Sequence, residues 1–148
     1  MTDDQKYLFD LNGYLIIENV LTRDHCQRLI DAVYEGIATP NEELPKGVRQ
    51  ASYFNGTDLS LGDLASIGPI FADLIDLPTV LDVLHAVIHS ELRLENTYAR
   101  VRRKGDKGLN LHGGGHWDGG GQDRLFLYRH FNGEIFAGNT VVTFNLTD

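Results

Sequence analysis

Cysteine, basic residues and long apolar runs are scarce in this sequence of 148 residues. Cys26 is the only cysteine, which excludes an intramolecular disulfide and a cysteine-rich zinc site. The 13 lysines and arginines are outnumbered by 21 aspartates and glutamates, and a formal net charge of −8 argues against binding to nucleic acid, which requires a basic face. No apolar run is long enough to span a membrane, and the first residues lack the pattern of a signal peptide. We therefore expect a cytoplasmic protein that binds neither nucleic acid nor membranes.

Helix patterns dominate the first part of the chain. Residue types that begin or end helices lie at Thr2, Asn12-Gly13, Thr22 and Pro78. Residues 14–18 are apolar and rich in β-formers, which predicts a short strand between the first two helices. Residues 38–62 contain prolines and glycines without clear periodicity, and this predicts a long irregular connection.

The character of the sequence changes to β after about residue 90. The candidate strands are residues 92–99, 109–112, 124–131, 134–137 and 139–146. Asn132-Gly133 is a strong signal for a hairpin with a type I′ turn. The order of elements predicts an α+β fold in which helices cover one side of a mostly antiparallel sheet. We expect a single domain over 1–148, with a helical part over about 1–90 and a β part over about 91–148.

The glycine-rich stretch 111–121 contains the most distinctive group of polar residues, His112, His116 and Asp118. His116 and Asp118 form an H-x-D unit, and on an extended segment residues i and i+2 point to the same face. Two ligands of this kind and a distant histidine make the facial triad of non-haem Fe(II) oxygenases. The motif is short, and the same glycines are also typical of a flexible surface loop.

Three segments, one of which overlaps this stretch, carry a resemblance to a known family. The run from Phe9 to Leu21, in which Gly13 precedes an apolar segment and a threonine-capped helix follows, resembles the N-terminus of the phytanoyl-CoA dioxygenase family. The segments Leu109–Gly114 and Thr140–Asp148 resemble a bacterial Leu-His-Gly-Gly branch of that family. The resemblance implies a double-stranded β-helix, or jelly roll, with flanking N-terminal helices. It also implies an enzyme that uses Fe(II) and 2-oxoglutarate to oxidise, usually to hydroxylate, a small organic substrate.

The resemblance leaves two registers open for the metal ligands. The common family pattern H-x-D is matched by His116 and Asp118. In the Leu-His-Gly-Gly branch, His112 takes the ligand position and Gly114 stands where the carboxylate would be, as in the related iron halogenases. Tyr98 and Arg100 lie on the strand before the motif and are candidates to contact 2-oxoglutarate. Their alternative roles are a structural tyrosine and a solvated arginine.

The family pattern continues with a second metal histidine and an arginine that holds 2-oxoglutarate, and neither has a counterpart here. We therefore expect an N-terminal portion of an oxygenase domain that is inactive alone and self-associates through an open sheet edge. The alternative is a non-catalytic jelly-roll or cupin-like binding module. The sequence after His112 also matches the HGGG oxyanion motif of esterases, but no serine has the G-x-S-x-G context that such enzymes require.

Overall fold

The computed structural model describes residues 1–53, 58–89, 91–106 and 127–147. Helices and antiparallel strands both occur, which confirms the α+β class. The elements in chain order are α1 (Asp3–Asn12), α2 (Arg23–Ala38), β1 (Arg49–Tyr53), β2 (Asp58–Gly62), a 3₁₀ turn (Leu64–Ser66), α3 (Pro69–Ala72), α4 (Pro78–Ile88), β3 (Tyr98–Val101), β4 (Tyr128–Phe131) and β5 (Glu134–Ala137). In the described ranges the strands form a three-stranded sheet and a separate two-stranded hairpin, so the predicted jelly roll is not seen as a closed sheet.

The chain divides into two compact units. The sheet unit comprises Leu21–Leu77, Leu94–Leu109 and Asn145–Asp148, and the hairpin unit comprises Met1–Val20, Pro78–Arg93 and Asn110–Phe144. No helix in the described part of the chain is long and apolar enough to cross a membrane. The expectation of one domain over 1–148 stays a prediction.

Helix α2 packs on the three-stranded sheet to form the core of the sheet unit. Its start is capped by Thr22, whose Oγ1 accepts a hydrogen bond of 3.2 Å from the backbone N–H of His25. Gly36 lies where the helix meets β2, and a Cβ at this position would be 2.5 Å from Leu61 Cδ2. The buried apolar residues of this core are Leu29, Val33, Val48, Leu61, Leu64 and Phe71.

The C-terminal end of α2 is fastened to the sheet by Gln50 of β1. Its side-chain amide donates to the carbonyl oxygens of Gly36 at 2.7 Å, Ile37 at 3.1 Å and Thr39 at 2.6 Å. The last carbonyl groups of a helix have no partner within the helix, and this side chain supplies one.

The sheet has the order β1-β2-β3 with antiparallel neighbours. The prediction that 38–62 is wholly irregular is therefore wrong, because β1 and β2 both lie in it. Strand β1 was not predicted because its residues are mostly polar. Its inward-facing residue Gln50 forms hydrogen bonds instead of apolar contacts. The structure also assigns no strand to residues 14–18 or to the described residues of 139–146, although both had been predicted as strands.

The hairpin unit contains the clearest agreement with sequence-based expectation. Thr2 and Gln5 form a reciprocal capping box at the start of α1, and Gly13 ends this helix with φ 77°. Asn132 and Gly133 have φ angles of 52° and 80° and join β4 to β5, as a type I′ turn requires. The core of this unit consists of Phe9, Val87, Ile135 and Ala137.

Large apolar side chains on the hairpin unit are exposed, notably Phe131 at 70% and Val141 at 73%. Exposed apolar strands promote association. We expect the chain to form oligomers at high concentration and the Phe131→Ser variant to shift them toward monomer, as measured by light scattering. The matched control is Ile16→Ser. Ile16 is similarly exposed, at 72%, but it lies between α1 and α2 and not on the β4–β5 hairpin. A monomeric wild-type chain at high concentration would contradict this expectation.

Candidate functional site

The three-stranded sheet has one face toward α2 and one polar face. On β3, Ala99 and Val101 pack against the core of the sheet unit. Alternation along a strand therefore places Tyr98 and Arg100 on the opposite face. The register pairs Ser60 of β2 with Arg100, so Ser60 lies on that face as well. We call the surface formed by Asp58, Ser60, Tyr98 and Arg100 the polar face.

A buried carboxylate organises the polar face. Asp58 has no solvent exposure. Arg100 donates to it from Nε to Oδ1 at 3.2 Å and from Nη2 to Oδ2 at 2.7 Å. The Nε atom of Arg102 lies 3.6 Å from the same Oδ2 atom. Burial of a carboxylate is strongly unfavourable without such partners, so these contacts are a condition for the fold of this region. We call Asp58, Arg100 and Arg102 the arginine cluster.

The structure places two of the predicted site residues on one face. Tyr98 is 53% exposed, and Arg100 lies two positions along the same strand. Arg100 is not simply a solvated arginine, because its side chain is paired with Asp58. The predicted metal ligands His112, His116 and Asp118 lie outside the described residues.

Sequence analysis missed Asp58 and Arg102 as members of this arrangement. Asp58 lay in the stretch that was predicted to be irregular, although the alternation of Leu59 and Leu61 with polar neighbours was a signal for a strand. Arg102 follows Arg100 by two positions, and that spacing places both on one side of an extended chain. The period of two therefore indicated that Arg100 and Arg102 share one side of the chain, although it did not show that Asp58 pairs with them.

A second polar group joins α1 to β4 in the hairpin unit. Tyr128 donates a hydrogen bond from its hydroxyl to Asp10 Oδ1, and His130 Nδ1 lies 3.3 Å from Asp10 Oδ2. Partial burial of the phenol, the hydrogen bond to Asp10 and the charge of that carboxylate raise the pKa of Tyr128 from 10.0 to about 12. This group fastens the hairpin to α1.

A further polar contact links the end of α4 to the start of β5. His89 Nε2 lies 3.3 Å from Glu134 Oε2, and Lys6 Nζ lies 3.9 Å from the same atom. The His89 ring also contacts Phe136, with ring centroids 5.0 Å apart. Among the residues that the structure describes, no group of three or more His, Cys, Asp or Glu side chains is arranged to hold a metal ion.

An open groove of about 740 Å³ lies beside this hairpin. Its described lining residues are Ile88, Leu127, Arg129, His130, Phe131, Phe136 and Gly138. The lining is largely apolar and includes the polar residues Arg129 and His130.

The Asp10→Asn variant is expected to lower the pKa of Tyr128 toward 10, while partial burial keeps it above that value. Because the folded-state pKa is raised, the stability contributed by Tyr128 is complete below pH 10 and is lost as the pH rises through about 12. Spectrophotometric titration of tyrosinate and thermal unfolding between these pH values test both statements. Tyr128→Phe is the control, and it should remove this part of the pH dependence.

No protein-family model and no curated protein sequence matches this chain. A solved structure does match it: HygX from Streptomyces hygroscopicus, crystallised with nickel and 2-oxoglutarate bound, at a TM-score of 0.69 and 25% sequence identity. The chain has a fold related to that of HygX. The match covers 93% of this chain and 51% of the HygX chain, so this chain spans about half the length of HygX.

Proposed function

We propose that this chain is part of an Fe(II)- and 2-oxoglutarate-dependent oxygenase of the phytanoyl-CoA dioxygenase type. The complete protein would have a jelly-roll fold and would hydroxylate a small organic substrate. The observation that carries the proposal is the similarity in fold to HygX, whose structure contains nickel and 2-oxoglutarate. The resemblance of the sequence motifs to the dioxygenase family supports it independently of that match.

The polar face has donor groups that suit the co-substrate. 2-Oxoglutarate carries two carboxylates, and a guanidinium group binds carboxylates through paired, charge-assisted hydrogen bonds. Arg100 supplies the guanidinium, and Tyr98, which is 53% exposed, has a hydroxyl that could supply a further donor on the same face. The residue chemistry of this face therefore fits a dicarboxylate ligand.

The candidate metal ligands in this proposal are His112 in one register, or His116 and Asp118 in the other, since imidazole and carboxylate are suitable ligands for iron. The iron with 2-oxoglutarate and dioxygen would supply the oxidising chemistry that amino-acid side chains lack. The contribution of the polar face would be orientation. Asp58 fixes the guanidinium of Arg100, and Arg100 and Tyr98 hold the co-substrate by its carboxylate groups.

Metal-dependent binding of 2-oxoglutarate tests the proposal. Under anaerobic conditions with Fe(II), we expect the chain to bind 2-oxoglutarate and to produce the charge-transfer absorption of its chelate with iron. The absorption should vanish on addition of a metal chelator. Failure of 2-oxoglutarate to bind with the metal present would contradict the proposal.

We expect no formation of succinate from 2-oxoglutarate by the isolated 148-residue chain with Fe(II) and ascorbate. The reason is that the chain spans about half of HygX. Succinate production at a rate typical of enzymes would contradict this expectation, whereas uncoupled traces equal to a protein-free control would not.

The second candidate is a non-catalytic jelly-roll or cupin-like binding module. The observation that favours it is the largely apolar groove on the hairpin unit, which suits a ligand without requiring a metal. Its distinguishing property is ligand binding that is unaffected by metal chelators. Ligand binding that is weakened by Phe136→Ser and unchanged by iron would favour this module over the oxygenase.

A further inference from the structure

We propose that Asp10, Tyr128 and His130 form a site for a divalent transition-metal ion such as Cu(II) or Zn(II), which they bind through a carboxylate, a phenolate and an imidazole. We call these three residues the Asp10 cluster. They lie on α1 and β4 of the hairpin unit, and none belongs to the polar face or to the glycine-rich stretch. The inference therefore goes beyond the proposed function and does not depend on it.

The first step is the convergence of three donors. Tyr128 and His130 are two positions apart on β4, so their side chains leave the strand on the same face. The Tyr128 hydroxyl donates to Asp10 Oδ1, and His130 Nδ1 lies 3.3 Å from Asp10 Oδ2. Neighbouring ligands on one ion are about 3.0–3.4 Å apart when each bond to the ion is about 2.0–2.2 Å long. The imidazole and the carboxylate therefore have the spacing of two ligands of one ion.

The second step is the chemistry of the donors. Imidazole nitrogen suits zinc, copper and iron, and sites built from nitrogen and oxygen bind Cu(II) most strongly among the first-row divalent ions. Only two members of the Asp10 cluster are of the types His, Cys, Asp and Glu, because the third donor is the phenol oxygen of Tyr128. A search of the described residues for three ligands of those four types alone therefore does not find this cluster.

The third step concerns the protons. Without an ion, the pKa of Tyr128 is about 12, so its phenol is protonated at neutral pH and donates to Asp10. A bound cation lowers the pKa of the groups that it contacts. On binding, the phenol O–H bond breaks, its proton passes to solvent, and the oxygen bonds to the ion. Nδ1 of His130 can bind when the ring carries its proton on Nε2. No group is oxidised or reduced.

The fourth step is access. The side chains of Asp10 and His130 are 34% and 45% exposed, and Tyr128 is 44% exposed. An ion can therefore enter from solvent and keep water molecules in its remaining coordination positions. Lys6 lies one helical turn before Asp10, but its ammonium group is paired with Glu134 of β5.

The first test is titration of the chain with Cu(II), followed by the visible charge-transfer absorption of a phenolate bound to Cu(II). We expect this absorption in the wild-type chain and its loss in Tyr128→Phe, with the affinity for Cu(II) lowered by about 10-fold or more. The matched control is Tyr7→Phe, since Tyr7 is a 66% exposed tyrosine of α1, and it should change neither quantity. Absence of the absorption in the wild-type chain, or its persistence in Tyr128→Phe, would overturn the proposal.

The second test separates the Asp10 cluster from ordinary binding of copper to histidine. His130→Gln should weaken Cu(II) binding at the absorbing site by about 10-fold or more. The matched control is His89→Gln, because His89 also lies 3.3 Å from a carboxylate of the hairpin unit, that of Glu134. Far-UV circular dichroism verifies that both variants are folded. Equal losses in the two variants would show that the site is not specific to His130 and would overturn the proposal.

A third measurement requires no substitution. Cu(II) is paramagnetic, so at substoichiometric amounts it should broaden the ring-proton NMR signals of Tyr128 and His130 before those of Tyr7 and His85. Zn(II) added in excess should reverse this broadening by occupying the same site. Broadening that leaves Tyr128 and His130 unaffected would show that these residues form only a hydrogen-bonded contact between α1 and β4, and would overturn the proposal. Binding of copper to the histidines of the glycine-rich stretch does not interfere, because it does not depend on Tyr128.

Discussion

The Arg100→Met variant is expected to lower the free energy of unfolding by about 3 kcal/mol, at the lower end of the 3–5 kcal/mol range for breaking a buried ion pair. The substitution leaves the carboxylate of Asp58 buried without its two hydrogen bonds. Arg102 remains near this carboxylate and reduces the loss. Denaturant unfolding monitored by circular dichroism measures the effect, and Arg103→Met should change stability by less than about 0.5 kcal/mol.

The double variant Asp58→Leu with Arg100→Met tests the cause of this loss. Replacing both partners of a buried ion pair by apolar residues is often neutral, because no charge is left in the interior. We expect most of the lost stability to return in the double variant. If the double variant is as unstable as Arg100→Met alone, the loss comes from packing and not from the isolated charge of Asp58.

The second large effect concerns the metal. We expect His112→Ala to weaken Fe(II) or Ni(II) binding in the presence of 2-oxoglutarate by more than about 100-fold, since even supporting residues of metal sites contribute 10–100-fold. Asp118→Ala should be tolerated in this register, because Gly114 occupies the position of the carboxylate ligand. Equilibrium dialysis of both variants measures the binding, with His85→Ala as a control for a histidine outside the motif.

The reverse pattern would assign the metal to the other register. Strong loss with Asp118→Ala and little with His112→Ala would identify His116 and Asp118 as the ligands. In that case both side chains of the H-x-D unit bind one ion from the same face of an extended segment. Equal behaviour of all variants and the wild-type chain would show that the glycine-rich stretch holds no metal in this protein.

Local chemistry allowed several elements to be predicted from sequence. Thr2 and Thr22 cap their helices, and Asn132-Gly133 forms the predicted turn. Each of these features depends on interactions within a few residues, so the signal is contained in a short stretch of sequence. The order of these elements along the chain then predicted the α+β class.

Strand β1 was not predicted because its stability depends on distant partners. Gln50 is acceptable on the inner face of β1 only because α2 ends beside it, and a sequence pattern does not show this contact. Residues 14–18 show the opposite error, since a strand was predicted there and the structure has none. Tyr14 and Ile16 are 61% and 72% exposed, so β propensity was present without the pairing that makes a strand.

The candidate site was predictable only in part for the same reason. Tyr98 and Arg100 were identified from their place before the glycine-rich motif. The partner of Arg100 is 42 positions away in the sequence, and only the register of β2 and β3 brings Asp58 to it. Pairing at this sequence separation is fixed by the whole sheet, and no local motif encodes it.

The contact of Gln50 with the end of α2 has a consequence for hydrogen exchange. Terminal turns of helices usually open by themselves and exchange their amide protons through local fraying. Here the carbonyls of Gly36, Ile37 and Thr39 are bound to a side chain of β1, so the end of α2 cannot open without releasing that strand from its helix. The amides of the last turn of α2 should therefore exchange in the same cooperative step as those of β1, and Gln50→Ala should separate the two.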